Sequence, residues 1–169
     1  RRSLQSEVRP TVISHAANRR RHGRSQFLAE FDWTGTFDPR PLLATPTAID
    51  FLEQLHPGGM QQHMAANRRL TLQARDVVLD ILGISAPAPE SMIGSMASIP
   101  LLYGGQSATA DADRIQRQLF AQHHIEVPVF QIADTPAPML RFSVQAYNDL
   151  DQYQRLAHAL RNELQASAG

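Results

Sequence analysis

The strongest constraint on this chain is a helical stripe near its middle. Over residues 60–82, Leu70, Ala74, Val77, Val78, Ile81 and Leu82 recur at three- and four-residue steps. At about 3.6 residues per turn, that spacing gathers them on one side of a helix. Gly58 and Gly59 break the chain ahead of the stripe, and Gly83 follows it directly. Glycine is the residue that most readily takes the left-handed backbone of a helix end. The spacing therefore predicts a long helix whose apolar side must be covered by something else.

The residues after it supply that cover. Residues 97–103 are rich in apolar side chains and end at Gly104-Gly105, which predicts a strand. A helix is expected over about 109–122, with Thr109 as N-cap, Asp111 and Asp113 in the favourable first turn, and Ala112, Ile115 and Leu119 facing inward. Residues 127–132 predict a second strand. The clearest strand is 139–147, where Leu140, Phe142, Val144 and Ala146 alternate with Arg141, Ser143, Gln145 and Tyr147. Asn148 then caps a last helix with Asp151 in its first turn and Leu150, Tyr153, Ala157, Leu160 and Leu164 inward. Strands with short returns and helices on one side imply an α+β layer.

The first third is less regular. Residues 11–14 predict a short strand, and an arginine-rich loop runs from there to Arg24. A second apolar stretch covers 27–33 and closes at Thr34-Gly35-Thr36, after which Pro39, Pro41 and Pro46 punctuate the chain. A helix is expected over about 46–55, with Ile49, Leu52 and Leu55 on one side. No internal repeat is visible.

Composition narrows the chemistry. The 169 residues are 43% hydrophobic and 19% charged, which suits a globular core. No uncharged apolar run approaches the ~18 residues of a membrane span, and no signal-peptide pattern opens the chain. Cysteine is absent, so disulfides, thiolate metal sites and a cysteine nucleophile are excluded within it. Lysine is absent as well: all sixteen basic residues are arginine. No side chain here can form a Schiff base or act as a catalytic amine. The net charge of zero hides an asymmetry, because residues 1–24 hold seven arginines against the single acid Glu7. Such polarity fits nucleic acid or a surface that faces something acidic. The chain opens on Arg1, and a fragment or processed piece is the expectation.

Few residues carry a chemical signal by themselves. Arg141, flanked by Leu140 and Phe142 in a strand, sets a permanent fork of donors on a sheet face. It either grips a carboxylate in a bidentate way or pairs with a neighbouring acid. Thr34-Gly35-Thr36 puts two hydroxyls and a glycine amide in a turn, which can hold a phosphate or be a plain turn. Arg19–Arg21 and Arg24 can meet phosphates, but no aromatic residues interleave them, so a solvated loop is the simpler expectation. The seven histidines show no metal-ligand spacing with partnering acids, so no metal is expected. His123-His124 reads as structural at a helix end, Trp33 as packing, and His15 stays open.

Taken in order, several segments resemble the class V aminotransferase-like, pyridoxal-phosphate-dependent enzymes, in the isopenicillin N epimerase-like branch. These are Phe31-Asp32-Trp33-Thr34-Gly35-Thr36-Phe37-Asp38-Pro39, the pairs Asn67-Arg68 and Ala74-Arg75, Gly94-Ser95-Met96-Ala97, and the run from Leu140 to Asn148. The resemblance covers nearly the whole chain. It implies the end of the large pyridoxal-binding domain over 1–56, a long connecting helix over 57–83, and a C-terminal small domain over 84–169. That small domain would be a mainly antiparallel sheet with helices on one side. The family's cofactor is pyridoxal 5'-phosphate, carried by a lysine of the large domain, and the lysine-free composition agrees with that placement. By the same likeness Thr36 and Gly35, with Thr34 a weaker candidate, would touch the cofactor phosphate of the neighbouring subunit of a homodimer. Arg141 would hold the α-carboxylate of an amino acid substrate. The cysteine desulfurases of this superfamily carry a reactive cysteine upstream of the matching arginine. Residues 133–139 are short and hold none, which argues against a persulfide mechanism.

The resemblance implies chemistry at Cα of an amino acid, inactive in this chain alone, without catalytic residues of its own, and in the cytoplasm. No nucleic acid and no membrane are expected as partners. Two alternatives stand beside it. One is a small-domain remnant that binds a partner protein, and the other is an arginine-led nucleic-acid module.

Overall fold

In a computed structural model, the chain is described except for residues 19–21, 104–105, 108–110, 136 and 167–169. Its helices are α1 (Gln26–Phe31), α2 (Arg40–Gln54), α3 (Gly59–Leu82), α4 (Ala112–His123) and α5 (Leu150–Gln165). Its strands are β1 (Met96–Pro100), β2 (Leu102–Tyr103), β3 (Gln106–Ser107), β4 (Val129–Phe130) and β5 (Met139–Ser143). The contacts divide it into two compact units, Arg1–Ile49 and Asp50–Gly169. None of the described helices is long and apolar enough to cross a membrane.

The second unit is built around the expected stripe. Ala74, Val78, Leu79 and Leu82 are buried, with Leu70, Val77 and Ile81 packed against the same core. Gly83 closes α3 at φ 67°, and its N–H reaches the Asp80 and Leu79 carbonyls. The buried face also runs on toward the N-terminus through His63, Asn67 and Thr71, which are polar. Apolar periodicity does not register such residues, because polar groups are tolerated inside through hydrogen bonds. The Thr71 hydroxyl donates to the Asn67 carbonyl at 2.8 Å, and the Asn67 amide lies 3.2 Å from His63 Nε2.

Three strands form the antiparallel sheet in the order β1-β5-β4. Ala97 pairs with Phe142, Ile99 with Leu140, and Val129 with Leu140. These residues turn one face into the core beside Ile115, Leu119, Leu156 and Leu160 from α4 and α5. The other face carries Met96, Ser98, Arg141 and Ser143, all exposed. This is the expected α+β layer. A separate two-stranded ladder pairs Leu102 with Ser107 and Tyr103 with Gln106.

Each strand is shorter than the sequence suggests, and proline or a side-chain turn explains where it stops. The stretch 97–103 breaks after Pro100, where the buried Leu101 donates its N–H to the Pro138 carbonyl at 2.8 Å. Pro128 has no N–H to give, so β4 holds only two residues, and the Gln131 side chain closes a turn on Thr135. The alternation over 139–147 ends at Ser143: Val144 is still buried, but Ala146 and Tyr147 are exposed.

The caps also differ. Asp149, not Asn148, is the N-cap of α5, in a reciprocal capping box with Gln152. Asn148 instead accepts from the Gln145 N–H at 2.9 Å and donates to Gln152. Asp111 caps α4 through the Asp113 N–H. Thr109 and the Gly104-Gly105 break lie outside the described residues, as do Arg19, Arg20 and Arg21. His123 meets Glu163 at 3.1 Å, and His124 ends α4 in the left-handed conformation.

In the first unit, 11–14 is not a strand. The buried Ser14 hydroxyl accepts from the Ala16 N–H at 3.2 Å and donates to the Trp33 carbonyl at 2.6 Å, which favours the turn His15–Asn18. The stretch 27–33 overlaps α1, which Ser25 caps. Helix α2 starts well before Pro46: Asp38 accepts from the Arg40 N–H, and Pro41 sits in the first turn, where no amide is needed. No residue of α2 is buried; Ile49 and Leu55 are exposed.

Leu140 is fully buried between both pairing strands. Leu140→Ala is expected to cost about 2–5 kcal/mol, measured by urea unfolding of the chain.

Candidate carboxylate-binding site

Strand period places Arg141. With Leu140 and Phe142 drawn into the core, a side chain between them must leave by the opposite face. Its backbone N–H is held by the Pro128 carbonyl at 3.1 Å, and Ser98 stands opposite in the ladder. The guanidinium has no hydrogen bond or ion pair with any described residue. That excludes the plain option of a sheet arginine neutralised by a described neighbour. Two other arginines of this unit are engaged: Arg68 donates to the Ile93 and Glu90 carbonyls, and the buried Arg75 meets Asp76, Glu90 and the Ala88 carbonyl.

Arg141 lines a groove of about 460 Å³, together with Glu126, Tyr147, Asn148, Gln152 and Arg155. The wall behind it is firm. Tyr153 packs its ring, tilted, at 5.1 Å from Phe142 and donates its hydroxyl to the Ser143 carbonyl at 2.8 Å. Burial, reinforced by the negative charges of Tyr147 and Asp149, pushes the Tyr153 phenol up to about 12. None of these groove residues was singled out as a site residue from sequence. The signal available was the turn and cap at 145–152, which fold the chain back beside the strand.

Thr34, Gly35 and Thr36 come together in one bend of the first unit. Gly35 has φ 155°, a backbone that side-chain-bearing residues rarely adopt. The Trp33 and Phe37 rings meet across the bend at 5.2 Å. Both threonines are exposed, and their hydroxyls bond to no described residue. Two open hydroxyls beside a glycine amide suit an anion's oxygens, so the donor set fits a phosphate. Just beyond, the Arg40 guanidinium holds the Asp38 carboxyl below the usual carboxylate range.

A second, smaller cleft of about 320 Å³ is lined by His56, Asn67, Leu70 and Gln145. Asn67 reaches Gln145 Oε1 at 3.3 Å, and the buried His63 keeps Nδ1 without a described partner.

No family model matches this chain. It is 34% identical to the isopenicillin N epimerase of Streptomyces clavuligerus, over 91% of this chain and 39% of that protein. It is 31% identical to the isopenicillin N epimerase of Amycolatopsis lactamdurans, over 90% of this chain and 36% of that protein. It is 26% identical to an L-cysteine desulfhydrase of Arabidopsis thaliana, over 95% of this chain and 37% of that protein. The chain thus spans less than two fifths of the length of these curated relatives.

Two outcomes are expected. Arg141→Gln should leave the unfolding free energy within about 0.5 kcal/mol of wild type, because the exposed guanidinium bonds to no described residue. For Tyr153, the phenol keeps its proton in the folded chain to about 12, whereas the unfolded one loses it near 10.0. The stability this confers is present below pH 10 and is lost as pH rises through 12. Urea midpoints at increasing pH should fall over that window, and Tyr153→Phe should fall less steeply.

Proposed function

We infer, from a chain that matches the C-terminal part of a class V aminotransferase-like protein, that it completes a pyridoxal-phosphate-dependent enzyme acting at Cα of an amino acid. Within that family the epimerase-like branch is favoured, since the likeness to the two isopenicillin N epimerases exceeds that to the desulfhydrase. The observation that carries this function is the Arg141 guanidinium, without a bonded partner among the described residues, on a strand of fixed facing.

A planar fork of N–H donors binds a carboxylate bidentately and so sets the direction of the bonds at the neighbouring Cα. Arg141 in this role holds the substrate α-carboxylate and decides which Cα bond is presented for cleavage. Pyridoxal phosphate supplies the electron sink when bound. Thr36, Gly35 and, less centrally, Thr34 offer hydroxyl and amide donors to its phosphate, across the interface of a homodimer. The lysine that carries the cofactor lies outside this chain, which contains none. Proton movement at Cα needs that lysine or another base, so the chain alone is inactive. A cytoplasmic setting belongs to the same proposal.

The experiment is to express the chain with the coding sequence that precedes it and follow solvent deuterium entering Cα across a panel of amino acids. Incorporation supports the function; none with any amino acid, in a cofactor-loaded protein, overturns it. Arg141→Gln in that protein should raise KM about tenfold or more with cofactor absorbance unchanged. The chain alone, incubated with pyridoxal phosphate and reduced with borohydride, should show no adduct on any internal residue by peptide mass spectrometry.

A further inference from the structure

Arg155 was not singled out in the sequence, and the groove gives it a use. It lies on α5 and lines the same groove as Arg141. Like Arg141, it is exposed and bonds to no described residue. Its helical neighbour Asp151 stands one turn away, yet no ion pair joins them among the described residues. Glu126 is an acid lining the groove, and no ion pair joins it to either arginine among the described residues. One arginine suffices for an α-carboxylate, and Arg155 then has no ion-pair partner among the described residues.

We propose that the groove takes an amino acid bearing a second carboxylate, with Arg141 on the α-carboxylate and Arg155 on the side-chain one. This deepens the function above and rests on Arg141 being the α-carboxylate group. The exposed Tyr147 ring and the amides of Asn148 and Gln152 line the same groove. They suit the methylene stem that joins two acidic ends. Arg155 is therefore a specificity residue. It selects among substrates by electrostatic complementarity, a matched charge being favoured and an unmatched apolar end leaving the guanidinium with water alone.

The test is an NMR titration of the ¹⁵N-labelled chain with matched pairs of amino acids. L-Glutamate is set against L-norvaline, and L-aspartate against L-2-aminobutyrate, so that each pair differs by a carboxylate in place of a methyl. At least one dicarboxylic member should bind about fivefold or more tightly than its partner, the effect of one well-placed ion pair in an open groove. Arg155→Gln should remove that preference and leave the monocarboxylic affinities unchanged, whereas Arg141→Gln should weaken every ligand. Equal affinity within both pairs, or a preference that survives Arg155→Gln, overturns the specificity role while the Arg141 function stands. If Arg141→Gln changes nothing, or no ligand shifts the resonances of residues 124–128 and 141–155, both fall.

Discussion

Everything at the candidate site depends on the burial of Leu140 and Phe142 in the central strand. Both are inside, paired on one side with Ile99 and Ala97 and covered by α5 through the Phe142–Tyr153 ring contact. A strand alternates its side chains strictly, so a slip of one residue would carry Arg141 inward and two apolar groups out to water. The cost of that exchange is far larger than any gain Arg141 makes at the surface. The direction of the guanidinium is therefore set by its neighbours, and its own chemistry is free for a ligand. The tyrosine hydroxyl at the Ser143 carbonyl holds the end of the strand in the same way.

Helix α3 supplies the second fixed point. Its C-terminal half is an apolar stripe, whereas its N-terminal half buries His63, Asn67 and Thr71. Between the two, Arg68 and Arg75 reach out to the backbone at Ala88, Glu90 and Ile93. They tie down the segment that enters β1, the strand paired with β5. A buried arginine is costly unless its donors are used, and Arg75 uses its own on two acids and a carbonyl. Arg68 and Arg75 thus have a structural role, since they fix a loop and do not line the groove around Arg141.

Much of the second unit was legible because its signals are local and periodic. The stripe ending at Gly83 and the alternation through Arg141 each follow from one repeat. What escaped notice depends on groups distant in sequence or on side chains competing for backbone. The strand over 97–103 stops where Leu101 turns to Pro138, and Asn148 yields the cap to Asp149 because Gln152 sits at the reciprocal position. Arg155 carried no signal at all: on a helix surface it looks like any solvated arginine, and its neighbourhood with Arg141 exists only after α5 folds back. The first unit was least legible. Its buried residues are few, and Ser14 and Glu30 are held by polar bonds that no hydropathy pattern reveals.

The sheet itself is small, and its margins have a further consequence. An open strand edge is a template on which another chain can add itself. Here β4 is two residues long, and β1 ends at Pro100, whose ring nitrogen has no hydrogen to lend to a newcomer. The β4 margin offers too short a ladder for an added strand to gain much, and the β1 margin is stopped at one end by Pro100. A copy of the chain adding at β4 would therefore gain little, which disfavours extension of the layer on that side.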